Sequence, residues 1–381
     1  MKRERVTPRS DWQQKLEAIG FTFHSLDGVY WTENVCYAFT AEEIDLLESV
    51  TAGLQALCLE AVEQVIRRNL FDRLAIPELL RDRIVASWGS DEPSLYGRFD
   101  LRFDGVASPT LLEYNADTPT SLVEASIAQW FWLEETRPEC DQFNSLHEKL
   151  IARWNHLRSD FPNYLHFACT ADSAEDYRTV EYLRDTAVQA GFRTAHLFMD
   201  DIGWASSERL FLDLEGRPIQ ALFKLYPWEW LARDSFGAYL ASDPMKVMEP
   251  CWKMVLSNKG ILAVLWELFR DHPNLLPAYF DPKPLGATYV KKPLLSREGA
   301  NIEVIMPDGG LSSAGAYGQE GYVYQAFAPL PSFDHTNYPM IGSWIVGDEP
   351  AGIGIRESDT LITTNTSRFV PHYFVPRTGE Q

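Results

Sequence analysis

The sequence lacks the features that would assign it to several common classes of protein. Its 381 residues include five widely separated cysteines and no CxxC pair, so neither a disulfide framework nor a cysteine-rich zinc site is indicated. No apolar run is long enough to cross a bilayer, and the first segment, MKRERVTPRSDW, has no apolar core of the kind a signal peptide needs. We therefore expect a cytoplasmic protein that does not act at a membrane.

Positive charge is also scarce. The chain has 34 Lys and Arg residues against 54 Asp and Glu residues, which gives a formal net charge of −20. A general nucleic-acid-binding protein needs a basic face, so no nucleic-acid partner is expected. The acidic balance is compatible with a cationic substrate, but many enzymes share it.

The familiar short motifs of nucleotide binding and nucleophilic catalysis are absent as well. There is no GxxxxGK[ST] loop, no GxGxxG fingerprint and no GxSxG elbow, and the histidines form no cluster with metal-ligand spacing. The usual P-loop, Rossmann and serine-hydrolase interpretations are therefore unsupported.

What is present indicates large packed cores. Hydrophobic residues make up 45% of the chain, with 12 Trp and 21 Phe. Thr40 and Glu43 form a capping-box pattern before a long amphipathic helix. A buried strand at 164–170, a helix that ends at Gly191 and a second strand, TAHLFMD, predict a βαβ unit with parallel strands. The remainder beyond residue 257 is rich in strand patterns. The fold class is therefore α+β or α/β, with subdomains that interlock, because no long linker occurs.

The stretch 97–122, GRFDLRFDGVASPTLLEYNADTPTSL, predicts a β-hairpin. Apolar and polar residues alternate over 98–104, which is typical of a half-buried strand, and Asp104-Gly105 is a strong turn dipeptide. A second alternating segment follows. The simplest antiparallel register pairs Phe103 with Thr110, Leu101 with Leu112, Asp100 with Glu113, Phe99 with Tyr114 and Arg98 with Asn115.

This register places two carboxylates directly opposite each other, which is destabilising unless something compensates. Asp100, Glu113 and the amide oxygen of Asn115 form a hard oxygen set that suits Mg²⁺ held together with substrate phosphates, and Arg98 is a natural phosphate partner. The alternative is a solvated hairpin face on which Arg98 and Arg102 neutralise the acids. The hairpin by itself leaves both interpretations open.

A second polar motif is YVKKPLLSREGANIEVI, which reads as strand, short loop and strand. Its loop SREGAN can aim backbone N–H groups at phosphate oxygens, and Lys292 on the preceding strand would act as a point charge beside a phosphate. An ordinary hairpin with a glycine turn explains the pattern equally. Lys259, which opens a helix at SNKG, is either a nucleotide lysine or a surface lysine.

Two further strands carry candidate ligand contacts. The segment YVYQAFAPLP is an apolar strand that ends in prolines, typical of a hinge whose backbone reads an adenine edge, or of an ordinary edge strand. In AGIGIRE, Arg356 emerges from apolar surroundings and needs an anion, which is a phosphate, Asp348 or Glu357.

Taken together, the segments RFD, LEYNADTPTS, SNKGILAVLWELF, DHPNLLPAYF, YVKKP, SREGAN, GIGIRE and SRFVPH resemble the glutathionylspermidine synthetase family, in particular its stand-alone bacterial members. The resemblance covers nearly the whole chain and implies an ATP-grasp fold over 1–381 as one unit. Its approximate parts are a mainly helical 1–95, a metal-site hairpin with a substrate-binding α/β part at 96–255, and nucleotide-binding lobes at 256–381. Bifunctional members also carry an N-terminal Cys–His amidase domain; this sequence shows none, so hydrolysis is not expected.

The resemblance also implies roles for individual residues. Family members join the glycine carboxylate of glutathione to a polyamine amine with ATP and Mg²⁺, for which two ions are expected. The resemblance implies metal ligands at Asp100, Glu113 and Asn115; catalytic, phosphate-facing arginines at Arg98 and Arg356; nucleotide lysines at Lys259 and Lys292; a phosphate-covering loop with Glu298 and Gly299; an adenine-flanking hinge with Gln325; and substrate contacts at Thr118, Thr120, Glu175 and Asp176.

For Glu175 and Asp176 a plain structural role is an alternative, since acids at a helix start complement the helix dipole. The function implied is an ATP- and Mg-dependent acid–amine ligase that works through an acylphosphate. A kinase-like phosphoryl transfer and a non-catalytic nucleotide- or polyamine-binding protein are the alternatives. The expected partners are a small-molecule acid and amine, both unidentified, and the oligomeric state is left open between monomer and homodimer.

Overall fold

A computed structural model of the protein describes residues 1–25, 28–240 and 245–377, and it has the mixed α/β character that the sequence predicts. Among these residues no helix is both long and apolar enough to span a membrane. The helices are α1 (Trp12–Ala18), α2 (Ala41–Arg67), α3 (Glu78–Gly89), α4 (Gln129–Thr136), α5 (Leu146–His156), α6 (Ala174–Gln189), α7 (Trp228–Leu231), α8 (Lys253–Ser257) and α9 (Ile261–Leu268), with a π-helical turn at Glu124–Ala128.

Most strands belong to three sheets of four or five strands, and smaller sheets hold the rest. The strands are β1 (Lys2–Arg5), β2 (Val35–Thr40), β3 (Tyr96–Arg102), β4 (Thr110–Asn115), β5 (Tyr164–Cys169), β6 (Arg193–Phe198), β7 (Gly203–Ala205), β8 (Leu210–Leu212), β9 (Ala221–Leu225), β10 (Lys246–Met248), β11 (Ala278–Tyr279), β12 (Tyr289–Pro293), β13 (Glu303–Ile305), β14 (Leu311–Ser312), β15 (Tyr322–Ala326), β16 (Tyr338–Val346), β17 (Glu349–Ser358), β18 (Arg368–Val370) and β19 (His372–Val375).

Helix α2 starts at the predicted capping box. The Thr40 side chain accepts a hydrogen bond from the Glu43 backbone N–H, and the Glu43 carboxylate accepts one from the Thr40 N–H. Together these bonds satisfy two backbone donors that a helix start leaves free. The apolar stripe of α2 then lies in the main core, beneath β16 and β17.

The predicted βαβ unit is confirmed. Strands β5 and β6 are parallel neighbours joined by α6, and β9 and β10 extend the same parallel sheet in the order β10-β9-β5-β6. Helix α6 begins just beyond the carboxyl end of β5, with the Ser173 side chain accepting from the Asp176 N–H. Ligands of open α/β sheets bind at this edge, because loops and helix N-termini meet there.

The hairpin β3–β4 forms, and it pairs with β16 in an antiparallel sheet of order β18-β17-β16-β3-β4. The predicted pairs of Arg98 with Asn115, Phe99 with Tyr114 and Asp100 with Glu113 are confirmed. The two pairs nearer the turn were predicted wrongly: a bulge after Asp100 pairs Leu101 with Leu111 and Arg102 with Thr110.

The bulge has a simple physical consequence. One extra residue in β4 moves the following side chains to the opposite face of the strand. Leu111 therefore lies in the core, whereas Leu112, expected there, turns to the polar face of the hairpin and lines a cavity.

A third sheet, β11-β15-β12-β13-β14, carries the second polar motif. Adjacent lysines on β12 point to opposite faces, as a strand requires. Lys291 binds Glu303 at 2.8 Å near the surface, while Lys292 is buried.

The three parts predicted from the sequence, 1–95, 96–255 and 256–381, contribute strands to common sheets. Strand β3 from the middle part pairs with β16 from the last part, and β2 from the first part pairs with β19. The division at 95 and 255 stays a prediction.

Candidate active site

The three larger sheets meet around a cavity of about 230 Å³. Every site residue expected from the sequence lines it except Lys259, which lines an adjoining small pocket and reaches the cavity through Glu113. The cavity-lining members are Arg98, Asp100, Glu113, Asn115, Thr118, Thr120, Glu175, Asp176, Lys292, Glu298, Gly299, Gln325 and Arg356.

On β3, Asp100 and Arg98 form a buried pair. The guanidinium donates to both carboxylate oxygens, at 2.7 and 3.1 Å, and also to the Thr120 carbonyl at 2.6 Å. Burial and the neighbouring Glu113 raise the pKa of Asp100, while Arg98 opposes that rise. Because Asp100 is only 2% exposed, the alternative of a solvated face is wrong, although Arg98 does neutralise its neighbour.

Glu113, opposite on β4, is neutralised by lysines. Lys259 Nζ lies 3.1 Å from one of its oxygens. Burial alone would raise the pKa of Glu113, but the charges of Lys259 and Lys292 lower it to about 2. The carboxylate is therefore ionised at any physiological pH.

The donor set fits Mg²⁺. The Asn115 amide nitrogen lies 3.0 Å from Asp100 Oδ2 and 3.3 Å from Glu113 Oε1. A 180° rotation of this amide would exchange its nitrogen and oxygen and so place a third oxygen beside the two carboxylates. The described residues contain no group of three His, Cys, Asp or Glu side chains able to hold a metal. An ion on this set would therefore need phosphate or water oxygens as further ligands.

Lys292 and Gln325 connect the hairpin to the third sheet. Lys292 Nζ donates to Gln325 Oε1 at 2.6 Å and to the Leu112 carbonyl at 2.8 Å, and Gln325 Nε2 donates to the Leu111 carbonyl at 3.0 Å. Burial and Lys259 lower the pKa of Lys292 to about 8. In this structure the Gln325 side chain braces the bulge of β4, and its place beside adenine stays a prediction.

The SREGAN loop lies over the cavity between β12 and β13. Glu298, Gly299 and Asn301 all have left-handed backbone conformations, with φ of 54°, 71° and 54°. A Cβ at Gly299 would collide with the Thr363 carbonyl, which lies in the connection between β17 and β18. The close approach of this connection to the SREGAN loop therefore requires glycine.

An apolar slot lies under this loop. Ile302, Val304 and Ile362 form a small buried cluster, against which Val290 and Phe327 pack. These side chains line the same cavity, next to Gln325. A slot of this kind suits a flat aromatic ring, with polar groups at one end to orient it.

The sequence analysis missed Arg297 as a site residue. It lines the cavity, donates to the Thr118 hydroxyl and forms an ion pair with Glu229 at 2.9 Å. The signal in the sequence is an arginine inside the loop SREGAN, next to the predicted site residues Glu298 and Gly299. The spacing of the loop residues does not reveal which of their side chains turn inward.

Arg356, on β17, meets none of the carboxylates that the sequence offered. Glu357 binds Arg3, Arg368 and Tyr37, and Asp348 accepts from Gln55. Instead, the Arg356 guanidinium donates to the carbonyls of Ser367, Thr364 and Asn365 and to the hydroxyl of Ser121.

A second group of acids lines the same cavity. Glu175 and Asp176 lie at the start of α6, facing Glu298 of the loop, and none of the three forms an ion pair with any described residue. Burial and the Glu175 charge raise the pKa of Asp176 to about 7 and also raise that of Glu298. A bound cation would relieve this repulsion.

Comparison with known proteins gives a consistent result. The family model described as glutathionylspermidine synthase preATP-grasp matches residues 3–375. A protein of Haemophilus influenzae to which an acid–amine ligase activity is ascribed is 44% identical, over 97% of this chain and 98% of its own.

More distant relatives are longer proteins. The bifunctional glutathionylspermidine synthetase/amidase of Escherichia coli is 26% identical over 88% of this chain, which spans 58% of that protein. The trypanothione synthetase of Crithidia fasciculata is 27% identical over 82% of this chain, which spans about half (52%) of that protein. Among solved structures, a glutathione synthetase-like effector from Globodera pallida matches 97% of this chain and 98% of its own with a TM-score of 0.59 at 8% identity, a likeness of fold alone.

Proposed function

Because the chain belongs to the glutathionylspermidine synthase preATP-grasp family, we propose that it is an ATP- and Mg-dependent acid–amine ligase with an ATP-grasp fold. One observation carries this proposal. A single cavity is lined both by buried cations with an oxygen donor set and by carboxylates that form no ion pair with any described residue. Such a cavity suits a nucleotide polyphosphate and a cationic amine at the same time.

The nucleotide would lie between the third sheet and the hairpin. The apolar slot of Ile302, Val304 and Ile362 would take the adenine, and Lys259, Lys292 and Arg356 would contact the phosphates. Mg²⁺ on Asp100, Glu113 and Asn115 would neutralise charge that develops on the transferring phosphoryl group. Arg98 and Lys259 would then exchange their carboxylate contacts for phosphate contacts.

The acid substrate would lie beside Thr118 and Thr120, where the hairpin leaves the cavity floor. Its carboxylate oxygen would attack the γ-phosphorus as the bond to the bridging β–γ oxygen breaks, giving an acylphosphate and ADP. Arg98 and Arg356 would stabilise the charge on the equatorial oxygens. The loop with Glu298 and Gly299 would exclude water, which would otherwise hydrolyse the intermediate.

The amine would bind beside the acids that have no bonded cation among the described residues. Glu175, Asp176 and Glu298 would hold its ammonium groups and place one nitrogen near the acyl carbon. Attack by the neutral nitrogen would form the amide as the carbon–oxygen bond to phosphate breaks, and the protons of the ammonium would pass to nearby carboxylate and to phosphate. A peptide-like acid and a polyamine-like amine fit this arrangement.

The test is an ADP-release screen of the purified protein with Mg-ATP, in which peptides such as glutathione are crossed with di- and polyamines and products are read by mass. The expected result is ADP that depends on both substrates, together with an amide whose mass equals acid plus amine minus water. A phosphoester would instead indicate a kinase, and nucleotide binding without ADP for any pair would indicate a binding protein. In the same screen the Arg356→Ala variant is expected to release ADP far more slowly than the wild type.

A further inference from the structure

A buried carboxyl group lies behind Arg356, outside the set of residues that line the cavity. Glu124 begins the π-helical turn before α4 and has no exposed surface. One carboxyl oxygen accepts from the Tyr30 hydroxyl at 2.6 Å, while Oε2 has no hydrogen-bond partner among the described residues. A buried carboxyl group with an orphan oxygen is costly and calls for an explanation.

A chain of three hydrogen bonds connects Arg356 to Glu124, and in each bond the donor is the group nearer to Arg356. Arg356 Nη1 donates to the Ser121 Oγ at 3.1 Å, Ser121 Oγ lies 3.2 Å from the Tyr30 hydroxyl, and Tyr30 donates to Glu124. Since Ser121 accepts from the guanidinium, its own proton is available for Tyr30. The chain therefore runs from a cation through two hydroxyls to a carboxyl group, and each bond polarises the next.

The backbone around this chain of hydrogen bonds adopts unfavourable or uncommon conformations. Ser121 has φ of 66°, a left-handed conformation that is unfavourable for a residue other than glycine. The π-helical turn that follows is an uncommon structure, found often at functional sites. The Tyr30 ring also lies under the Arg356 guanidinium, 5.6 Å from its Cζ.

We propose that Glu124 is a positioning residue for Arg356: through the hydroxyls of Tyr30 and Ser121 it orients the guanidinium toward the cavity. This inference rests on the proposed function only in giving Arg356 a phosphoryl group to face. Burial and Glu175 raise the pKa of Glu124 to about 7, and Arg356 acts in the opposite sense, so the two charges are coupled without contact.

The indirect arrangement has a chemical advantage. A carboxylate bonded directly to Arg356 would compete with the phosphoryl oxygens and would have to be displaced at each turnover. Of the five N–H groups of a guanidinium, four have protein acceptors among the described residues: three donate to carbonyls and one to Ser121. One N–H therefore stays available for an incoming anion.

The first test does not depend on activity. Guanidinium ¹⁵N resonances of the full chain would be recorded, with Arg356→Lys used to assign the Arg356 signals. We expect rotation of this guanidinium to be at least about tenfold faster in Tyr30→Phe, Ser121→Gly and Glu124→Gln than in the wild type. Unchanged rotation in Glu124→Gln overturns the proposal, even if the protein has no ligase activity.

Ser121→Gly is the informative variant, because it removes the hydroxyl while glycine accepts the left-handed backbone. Its melting temperature should stay within a few degrees of the wild type, so a loss of rotational restraint is not a loss of folding.

The second test separates positioning from binding in the active enzyme. Ser121→Gly, Tyr30→Phe and Glu124→Gln should each lower kcat about 10- to 100-fold while KM for ATP changes less than about threefold. The double variant Tyr30→Phe/Glu124→Gln should lose no more than the worse single variant, since both break one chain. Glu33→Gln is the matched control, a buried carboxylate bound to Trp31 and Arg9 away from the cavity, and its kcat should be unchanged.

If the wild type releases no ADP with any acid–amine pair, the proposed function fails while the guanidinium measurement still decides this inference. If the wild type is active and all three variants keep its kcat, the inference fails while the ligase assignment survives.

Discussion

Two pairs of acids line one cavity, and the protein neutralises only one of these pairs with bonded cations. Asp100 and Glu113 face each other across the hairpin, each bonded to a buried cation, Arg98 or Lys259. Glu175 and Asp176 are neighbours at a helix start, with no cation bonded to either among the described residues.

The pKa values report the same difference. Despite burial, the lysines hold the pKa of Glu113 at about 2, whereas burial and a neighbouring acid raise that of Asp176 to about 7. Under the proposed function, a metal ion and phosphates would replace the internal counter-charges of the first pair. The second pair has no bonded cation among the described residues, although the nearby Arg297 charge lowers the pKa of Asp176 in part, and a cationic substrate would supply the missing counter-charge. The comparison therefore predicts that changes in the first pair damage turnover and changes in the second pair damage amine binding.

The largest expected effect is at Arg356. Arg356→Ala should lower turnover about 10³-fold and leave ATP binding, measured by calorimetry, largely intact, because its contribution grows as charge develops in the transition state. Arg368→Ala, on the neighbouring strand and paired with Glu357 and Asp359, is the matched control. Turnover close to that of the wild type would remove Arg356 from the mechanism.

A somewhat smaller loss is expected at the compensated acid pair. Asp100→Asn removes one charged oxygen ligand and the partner of Arg98, so kcat should fall about 10²-fold and the Mg²⁺ concentration for half-maximal rate should rise. The rate would be titrated with Mg²⁺ at saturating ATP. Asp104→Asn, in the turn of the same hairpin, should change neither quantity; an unchanged Mg²⁺ dependence in Asp100→Asn would argue against the metal site.

At Glu175 and Asp176 the expected change is in amine binding. Glu175→Gln should raise KM for the amine about tenfold, with kcat and KM for ATP changing little, because a charge-assisted contact to ammonium is lost. Glu181→Gln on the same helix, whose partner is Arg184, is the control for the helix surface. If KM for ATP rose and KM for the amine did not, the two acid pairs would have been assigned the wrong way round.

Amine binding should also depend on pH. Because the pKa of Asp176 is raised to about 7, its negative charge is lost as the pH falls through that value, and KM for the amine should increase several-fold between about pH 8 and pH 6. Steady-state kinetics across this range would measure the change, and Asp176→Asn should flatten it. An identical slope in the variant would assign the titration to another group.

The smallest effect concerns stability. The pKa of Asp176 is higher in the folded protein than the unfolded value near 3.8, so its ionisation above about pH 7 opposes folding. Asp176→Asn should therefore melt a few degrees higher than the wild type at pH 8, and this difference should shrink as the pH falls toward 4. Thermal melts of both proteins without substrate would measure this difference. A lower melting temperature for Asp176→Asn than for the wild type at pH 8 would mean that the Asp176 carboxylate has a favourable partner in the folded protein.

Local patterns were sufficient wherever the structure depends on neighbours in the chain. The capping box, the β5–α6–β6 unit and the first three pairs of the hairpin follow from periodicity and turn residues, and the family assignment follows from separated motifs. The bulge after Asp100 did not follow, because a one-residue insertion leaves the alternation of each strand intact and changes only how the strands face each other.

The sequence by itself determined most of the candidate side chains for the chemistry: two acids and an amide on one hairpin, lysines and arginines elsewhere, and a small glycine loop. Only the tertiary structure decided which of these charges neutralise one another. From the sequence, Glu357 and Asp348 were possible partners of Arg356, but in the fold both acids bond to other residues. Arg356 is instead connected to Glu124 through the hydroxyls of Ser121 and Tyr30. The physical reason is that alternation along a strand says which face a side chain occupies. Which charge it meets depends on sheet order and loop placement, and these bring together residues hundreds of positions apart.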